Sequence, residues 1–331
     1  MGFEAILANI KSTGIFVAVL SILIIVHEWG HYITARKLGV KVEKFALGFG
    51  PKLFSKIHDG TEFLVCLIPL GGYVKMAGDI REECKGAPEE FFSKSPGQRA
   101  LIVLNGPVVN FALAYVCLFF VFLFGYPDMP SKVGDLVKDY PAQVAGLQKD
   151  DEILEVNHKK VSNWTELQSA ISQSTTPIVE LTLLRDHQPM ELEITPRDEK
   201  IKNIFGQTKE TRIVGIRPSE GIVLLKYSIG ESLVKSFEKI VEITLLTYKS
   251  LYFMVTGSMS AKESMTGPIG IFYIIKTAAE MGFTHLLFIL GVISASLAIF
   301  NLLPVIPLDG GHLFFLGVDK IRGKSLPLKI D

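Results

Sequence analysis

His27-Glu28-Trp29-Gly30-His31 sets two imidazoles four positions apart, with a carboxylate directly after the first. On a helix, positions i and i+4 share a face, so both rings reach one Zn²⁺ while Glu28 stands beside its open coordination position. Zinc held in this way lowers the pKa of a water toward neutrality, and the glutamate takes its proton as hydroxide attacks an amide carbonyl. The spacing therefore describes metal-assisted hydrolysis of a peptide bond. In a water-exposed helix the same residues could be a plain polar surface. Here they lie inside the apolar stretch Gly14 to about Leu38. Burying a glutamate and two histidines in hydrocarbon without partners costs on the order of several kcal/mol, so such residues are functional by default.

A zinc site of this kind needs a third protein ligand, and Asp309 is the strongest candidate. It ends the segment Asn301-Leu302-Leu303-Pro304-Val305-Ile306-Pro307-Leu308-Asp309, followed by Gly310 and Gly311. Pro304 and Pro307 cannot continue a helix, so the backbone opens there. Open backbone at membrane depth is tolerated only where it is buried in protein or lines a wet cavity. Taken alone, Asp309-Gly310-Gly311 could be a simple turn at a helix end; paired with the first motif, the ligand reading is favoured.

The elements that must position these residues are mostly apolar. Hydrophobic residues make up 48 % of the 331 and the mean hydropathy is +0.35. The formal net charge is zero, so no global field points to nucleic acid. Gly14 to Arg36 spans roughly 33 Å as a helix, enough to cross the hydrocarbon core. Glu4 near its front and the absence of a small-residue cleavage site speak against a signal peptide. Leu101–Phe124 and Leu286–Ile306 read as two further spans. Ile229–Val255 alternates apolar and charged residues at helical spacing and reads as an amphipathic helix at a membrane surface or against protein. Cys66, Cys84 and Cys117 form neither a disulfide framework nor a zinc-finger pattern.

Basic residues follow the first and third spans and precede the second, which marks those ends as cytoplasmic. The chain then starts outside, and His27, His31 and Asp309 all fall in the cytoplasmic part of the membrane. Between spans two and three, outside, Ser131–Pro196 reads as short strands, a helix around WTELQSAISQ, and two strands joined by a polar turn at Asp186-His187-Gln188. This order resembles a PDZ domain of the circularly permuted bacterial type, with Asn157-His158 standing where an Asn-Gly turn is usual. Between spans one and two, KFALGFGPKLFSK and TEFLVCLIPLGGYVKM read as apolar strands able to pair with an extended peptide.

H-E-x-x-H in a first span, N-x-x-P and L-D-G in a later one, and a PDZ-like domain between them resemble the site-2 protease family, within it the bacterial branch that includes the regulators of sigma E. The resemblance covers nearly the whole chain. It implies a multi-pass α-helical membrane protein with a membrane-associated β-element and an extracytoplasmic PDZ-like β-rich domain. It implies Zn²⁺ on His27, His31 and Asp309, Glu28 as general base, and Asn301 facing the scissile region, where it holds substrate backbone or stabilises the oxyanion. A simple interhelical hydrogen bond is the rival reading of Asn301. Gly48-Phe49-Gly50 and the strands around Glu62–Leu70, Phe63 and Val65 among them, resemble the family's membrane-reentrant β-element, which presents an edge to an unwound substrate. Asn105-Gly106-Pro107 and Asn110 resemble its second-span motif, and a kinked helix with small packing residues explains them nearly as well. Thr266-Gly267-Pro268-Ile269-Gly270 matches a recurring family segment to which no catalytic role attaches.

The expected layout is a first span over 1–38, the β-region over 39–99, a second span over 100–125, and the PDZ-like domain over 126–200. A linker with amphipathic helices follows over 201–282, then the third span and tail over 283–331. The second proline of the N-x-x-P segment is displaced by one position. Enteric members carry two PDZ domains where one is read here. Family members usually add a fourth span, whereas this sequence stops at Asp331, as a truncated chain would. The expected partners are membrane lipid and single-pass membrane proteins, such as an anti-sigma factor already cut once or remnant signal peptides, in the bacterial inner membrane. The competing classes are a metal-ion transporter, for which paired inverted repeats are missing, and a PDZ adaptor, which has no need of Glu28.

Overall fold

The computed structural model describes residues 3–202, 208–260 and 266–322. They fall into two compact units: one draws on Met1–Val121, Gly230–Lys249 and Met265–Asp331, the other on Phe122–Ile229 and Ser250–Ser264.

The first unit begins with helix α1, Phe3–Lys37, which carries Arg36 and Lys37 in its last turn, where cations complement the helix dipole. It stops at Gly39, whose φ of +70° takes the chain out of the helix, and Val40 N–H closes back on Ala35 O at 2.8 Å. Two strands follow, β1 (Val42–His58) and β2 (Thr61–Met76). Both bend through bulges. Residues 44–47 pair on one side with 72–75 (Lys44↔Lys75 to Leu47↔Gly72) and on the other with 62–65 (Lys44↔Glu62 to Leu47↔Val65), while 52–58 pair with 61–66. The small sheet thus has two outer segments, 52–58 and 72–76. Helix α2, Pro96–Phe124, starts with a capping box. Ser95 Oγ accepts from Gln98 N–H at 3.3 Å, Gln98 Oε1 accepts from Ser95 N–H at 3.1 Å, and Pro96 supplies the preset first φ.

The second unit contains β3 (Tyr126–Asp128), β4 (Val133–Leu136), α3 (Pro141–Val144), β5 (Glu152–Val156), β6 (Lys159–Lys160), α4 (Trp164–Ser172), β7 (Val179–Arg185) and β8 (Gln188–Ile194). Its main sheet runs β6-β5-β7-β8. Both tight turns in it use two consecutive residues at positive φ, Asn157-His158 (49° and 62°) and Asp186-His187 (49° and 66°), the geometry whose twist matches a hairpin. Asn157 recovers some of that strain, because its Oδ1 accepts from Glu180 N–H at 2.9 Å. Helix α4 is capped by Asn163, which accepts from Glu166 N–H at 2.8 Å, and it buries Trp164, Leu167 and Ile171 against Ile153, Leu181 and Leu183.

The layout expected from sequence differs after residue 200. Where a linker and helices were expected, the chain forms β9 (Arg197–Lys202), β10 (Thr208–Ile213), β11 (Ile216–Pro218) and β12 (Val223–Leu225). β11 pairs with β4 and β12 with β3, and Val214 and Ile216 join the same core as Val133. The strands Arg-Asp-Glu-Lys-Ile-Lys and Thr-Lys-Glu-Thr-Arg-Ile carry almost no apolar alternation, so no period-2 signal announces them.

Helix α5, Ile229–Val255, follows as one continuous amphipathic helix, then α6 (Pro268–Met281), α7 (Phe283–Asn301) and α8 (Asp309–Arg322). Val19 and Leu23 of α1, Ile275 of α6 and Leu286, Ile289, Leu290, Ile293 and Leu297 of α7 make one apolar cluster in the first unit. Ile10–Lys37, Pro96–Phe124 and Phe283–Asn301 are long and apolar enough to cross a membrane. The third apolar stretch, expected to run to Ile306, ends its helix at Asn301, and residues 302–308 are non-helical. That opening lies where Pro304 and Pro307 forbid helix continuation.

Candidate metal centre

α1 brings His27 and His31 onto one face with their rings 4.8 Å apart. The first residue of α8, Asp309, meets them from the far side of the opened segment. One ligand atom from each of the three lies within 4.8 Å of the others, and among the described residues this is the cluster of histidine and carboxylate groups able to hold a metal. Gly310 and Gly311 make the approach feasible. A Cβ on Gly310 would collide with the backbone of Leu302 and Leu303, and one on Gly311 would come within 2.8 Å of Val305 O.

The donor set can be tested for zinc on its own atoms. His31 Nδ1–H donates to the carbonyl of Ile102 on α2 at 2.9 Å, which leaves Nε2 as a lone pair. That Nε2 faces His27 Nε2 at 3.2 Å and Asp309 Oδ1 at 3.6 Å, and His27 Nε2 faces Asp309 Oδ2 at 3.2 Å. Asp309 Oδ2 is buried and accepts no hydrogen bond. With the proton of His27 also on Nδ1, these atoms are all acceptors, and acceptors crowded together in this way repel unless a cation sits among them. Four ligands at about 2.0–2.1 Å around a tetrahedral zinc stand roughly 3.3–3.4 Å from one another. The observed 3.2, 3.2 and 3.6 Å bracket that edge, so the residues fit the ion.

Around the triad lies a cleft of about 650 Å³, lined by Glu28, Asn301, Pro307, Leu308 and His312 as well as the three ligand candidates. Glu28 therefore faces the same space as the site, and the Asn301 amide lies 3.4 Å from His27 Nε2. The cleft wall opposite is the outer segment Gly72–Met76 of β2. It comes so close to α1 because Gly72 has no side chain: a Cβ there would meet Ile24 at 2.7 Å and Glu28 Cγ at 3.2 Å.

Asp79, Ile80, Phe91 and Phe92 complete the wall. Their loop is organised by the Glu90 carboxylate, buried and accepting from Cys84 Sγ–H and from the backbone N–H groups of Lys85, Gly86 and Ala87. The Cys84 hydrogen bond first, and the backbone donors with it, hold this carboxyl below the usual glutamate range.

The five expected substrate-contact residues lie elsewhere. Gly48, Phe49, Gly50, Phe63 and Val65 do not line the cleft. Phe63 packs its ring on Phe45 and Tyr32, and Val65 sits in the inner segment of the sheet. Phe49 stacks at 6.4 Å on Tyr73, a residue of the cleft wall, and Gly48 and Gly50 supply φ of +87° for the bulges beside it. Their connection to the site is through the sheet. The reason is register: the edge that reaches the cleft is the stretch 72–76, on the far side of 44–47 from Phe63 and Val65.

α2 takes a larger part in the site than its sequence alone implies. A Cβ on Gly106 would overlap the His31 ring and come within 2.9 Å of His27 Cε1, so this glycine is what lets α2 lie against both imidazoles. Asn105 Nδ2–H donates to Gly30 O at 2.9 Å where the two helices cross. The signal was present in Asn105-Gly106-Pro107, although a packing role explained it almost equally well.

Comparison with known proteins bears on the chemistry. The family model described as peptidase family M50 matches residues 15–331. A Campylobacter jejuni protein whose name provisionally assigns it to the zinc metalloproteases is 34 % identical over 314 residues, 94 % of this chain and 84 % of that one. Zinc metalloprotease RasP of Oceanobacillus iheyensis is 26 % identical, covering 94 % of this chain and 91 % of its own. Regulator of sigma E protease of Haemophilus influenzae is 29 % identical, covering 96 % and 93 %. With three apolar helices and a zinc-compatible donor set formed by the first of them and the helix that follows the third, the chain belongs to peptidase family M50, the site-2 proteases, and is an intramembrane zinc metalloendopeptidase.

Proposed function

We propose that this protease holds its zinc on His27, His31 and Asp309 and cuts a transmembrane segment of a single-pass membrane protein while that segment lies extended along Gly72–Met76. The convergence of the three ligand atoms in a cleft whose wall is an outer strand carries this reading. A transmembrane helix hides its peptide bonds in internal hydrogen bonds, and pairing with a free strand edge replaces those bonds as the helix opens. When bound, zinc supplies Lewis-acid polarisation of the scissile carbonyl and acidifies the attacking water. Glu28 takes the water's proton and delivers it to the leaving amine. The Asn301 amide donates to the carbonyl oxygen as negative charge develops on it.

The short-loop charges support a topology with the site toward the cytoplasm of a bacterial inner membrane and the segment between the second and third spans outside. The second unit is taken as PDZ-like, on the strength of its four-stranded sheet with α4 packed on it, and it screens the outer part of a substrate. The names of the relatives favour regulatory substrates, an anti-sigma factor trimmed outside, with remnant signal peptides as the second class.

The test is cleavage of a tagged single-span protein in detergent or liposomes by the purified enzyme, offered with and without the substrate's outer domain. Cutting inside the span, faster for the trimmed form, stopped by a zinc chelator and restored by added Zn²⁺, is the expected result. Cleavage only outside the span, or cleavage indifferent to the chelator, would reject the proposal.

A further inference from the structure

Both histidines face the candidate zinc position through Nε2, which requires the proton of each ring on Nδ1. For His31 the carbonyl of Ile102 holds it there, since a carbonyl only accepts and Nδ1 must then carry the proton. For His27 the group against Nδ1 is the side-chain amide of Asn110 at 3.2 Å. Asn110 is fully buried in the middle of α2, in a stretch long and apolar enough to span a membrane. A polar amide at such a place needs a reason. Its backbone carbonyl is occupied separately, accepting from Ser294 Oγ–H of α7 at 2.8 Å, so the side chain is not needed for that helix contact.

The two ends of the amide are not equivalent for His27. With Nδ2 toward the ring, the amide donates to Nδ1, the ring proton is driven to Nε2, and Nε2 is lost as a ligand atom. A half-turn of the amide exchanges the two ends at almost no steric change. Oδ1 then accepts from Nδ1–H, and the Nε2 lone pair points at Asp309 and His31, where it lies 3.2 Å from each.

We infer that Asn110 is a positioning residue for the metal centre: its side-chain oxygen fixes the Nδ1–H tautomer of His27 and aims that ring at the zinc. α2 then supplies the outer hydrogen-bond partner of both histidines, Ile102 O for one and Asn110 for the other, eight residues apart, with Gly106 between them giving the rings room. Metal-bound histidines regularly need such a partner on the other nitrogen, and its loss weakens metal binding or activity by about 10–100-fold.

This inference rests on the ligand set proposed above, and the experiment separates the two. Zinc affinity is measured by chelator competition on the full chain in detergent for wild type, Asn110→Leu, Asn110→Asp and Ser294→Ala, with a thermal melt of each. Wild type binding one zinc tightly is the prior condition; a wild type without it fails the ligand assignment, whatever Asn110 does. Given that, Asn110→Leu, similar in size and without an acceptor, is expected to weaken zinc binding about 10–100-fold. Asn110→Asp, which only accepts, is expected to bind zinc at least as tightly as wild type. Ser294→Ala is expected to leave affinity unchanged. A purely structural asparagine predicts a different pattern, with Asp as damaging as Leu. Wild-type affinity in Asn110→Leu, or a loss in Asn110→Asp matching that of Leu, overturns the inference. Where Asn110→Leu fails to fold, the Asp variant alone decides, since it must keep the metal.

Discussion

Glu28→Gln is expected to keep zinc at wild-type occupancy and to lose about 10²–10⁴-fold in cleavage rate, the usual contribution of a positioned general base. The substitution preserves size and hydrogen-bonding shape while removing the ability to take a proton at neutral pH. Glu28 is outside the three-residue cluster whose atoms converge within 4.8 Å, so metal retention is expected not to depend on it. It lines the same cleft as those residues, and its stem passes close to Gly72, where an added Cβ would stand 3.2 Å from its Cγ. Rate and zinc content measured on one preparation make the check. A variant that loses both would show that Glu28 acts on the metal, and one that keeps both would remove it from the chemistry.

Gly106→Ala is the second large effect, and it comes from a position with no chemistry of its own. The added methyl would occupy the volume of the His31 ring at Nε2 and Cε1 and would press on His27 Cε1. Either α2 moves off α1, breaking the Asn105-to-Gly30 and His31-to-Ile102 hydrogen bonds, or the imidazoles rotate away from Asp309. Overpacking of a close helix contact costs about 1–3 kcal/mol, roughly a 5- to 150-fold loss in any equilibrium that depends on it. Zinc affinity carries that loss, and activity falls with it, while far-ultraviolet dichroism stays helical. Unchanged zinc affinity in Gly106→Ala would show that the two helices do not approach as closely as described.

These two positions illustrate what a sequence discloses and what it withholds. The place of Glu28 beside the two histidines was legible because it follows from local spacing, two histidines one helical turn apart within an apolar run. Asp309 was legible because prolines at 304 and 307 announced an opened backbone just before an acidic residue in a membrane context. Gly106 was ambiguous because its meaning lies in a crossing between two helices far apart in the chain, and a glycine in a span packs closely against many things. Asn110 was ambiguous for the same reason.

In the β-region the elements were legible and the edge was not. Both strands were readable as apolar runs, yet which stretch faces the cleft depends on bulges that fold two strands into four paired segments. Phe63 and Val65, expected at the edge by resemblance, lie in an inner segment, while Gly72–Met76 forms the wall. Beyond residue 200 the strands β9 and β10 draw on charged residues pairing across a ladder, Lys200 with Glu210 and Asp198 with Arg212. That is a cross-strand pattern, visible only once the strands are placed side by side.

Three residues from the two ends of the chain, His27, His31 and Asp309, are proposed to hold one zinc. The measurement that tests this most directly is zinc per chain in the purified protein after dialysis against a moderate chelator, for wild type and for Asp309→Ala. One tightly held zinc in wild type and its loss in Asp309→Ala, with the melting behaviour of the metal-free chain unchanged, is the result expected. Asp309→Ala retaining zinc as tightly as wild type would contradict the claim and move the third ligand elsewhere in the cleft.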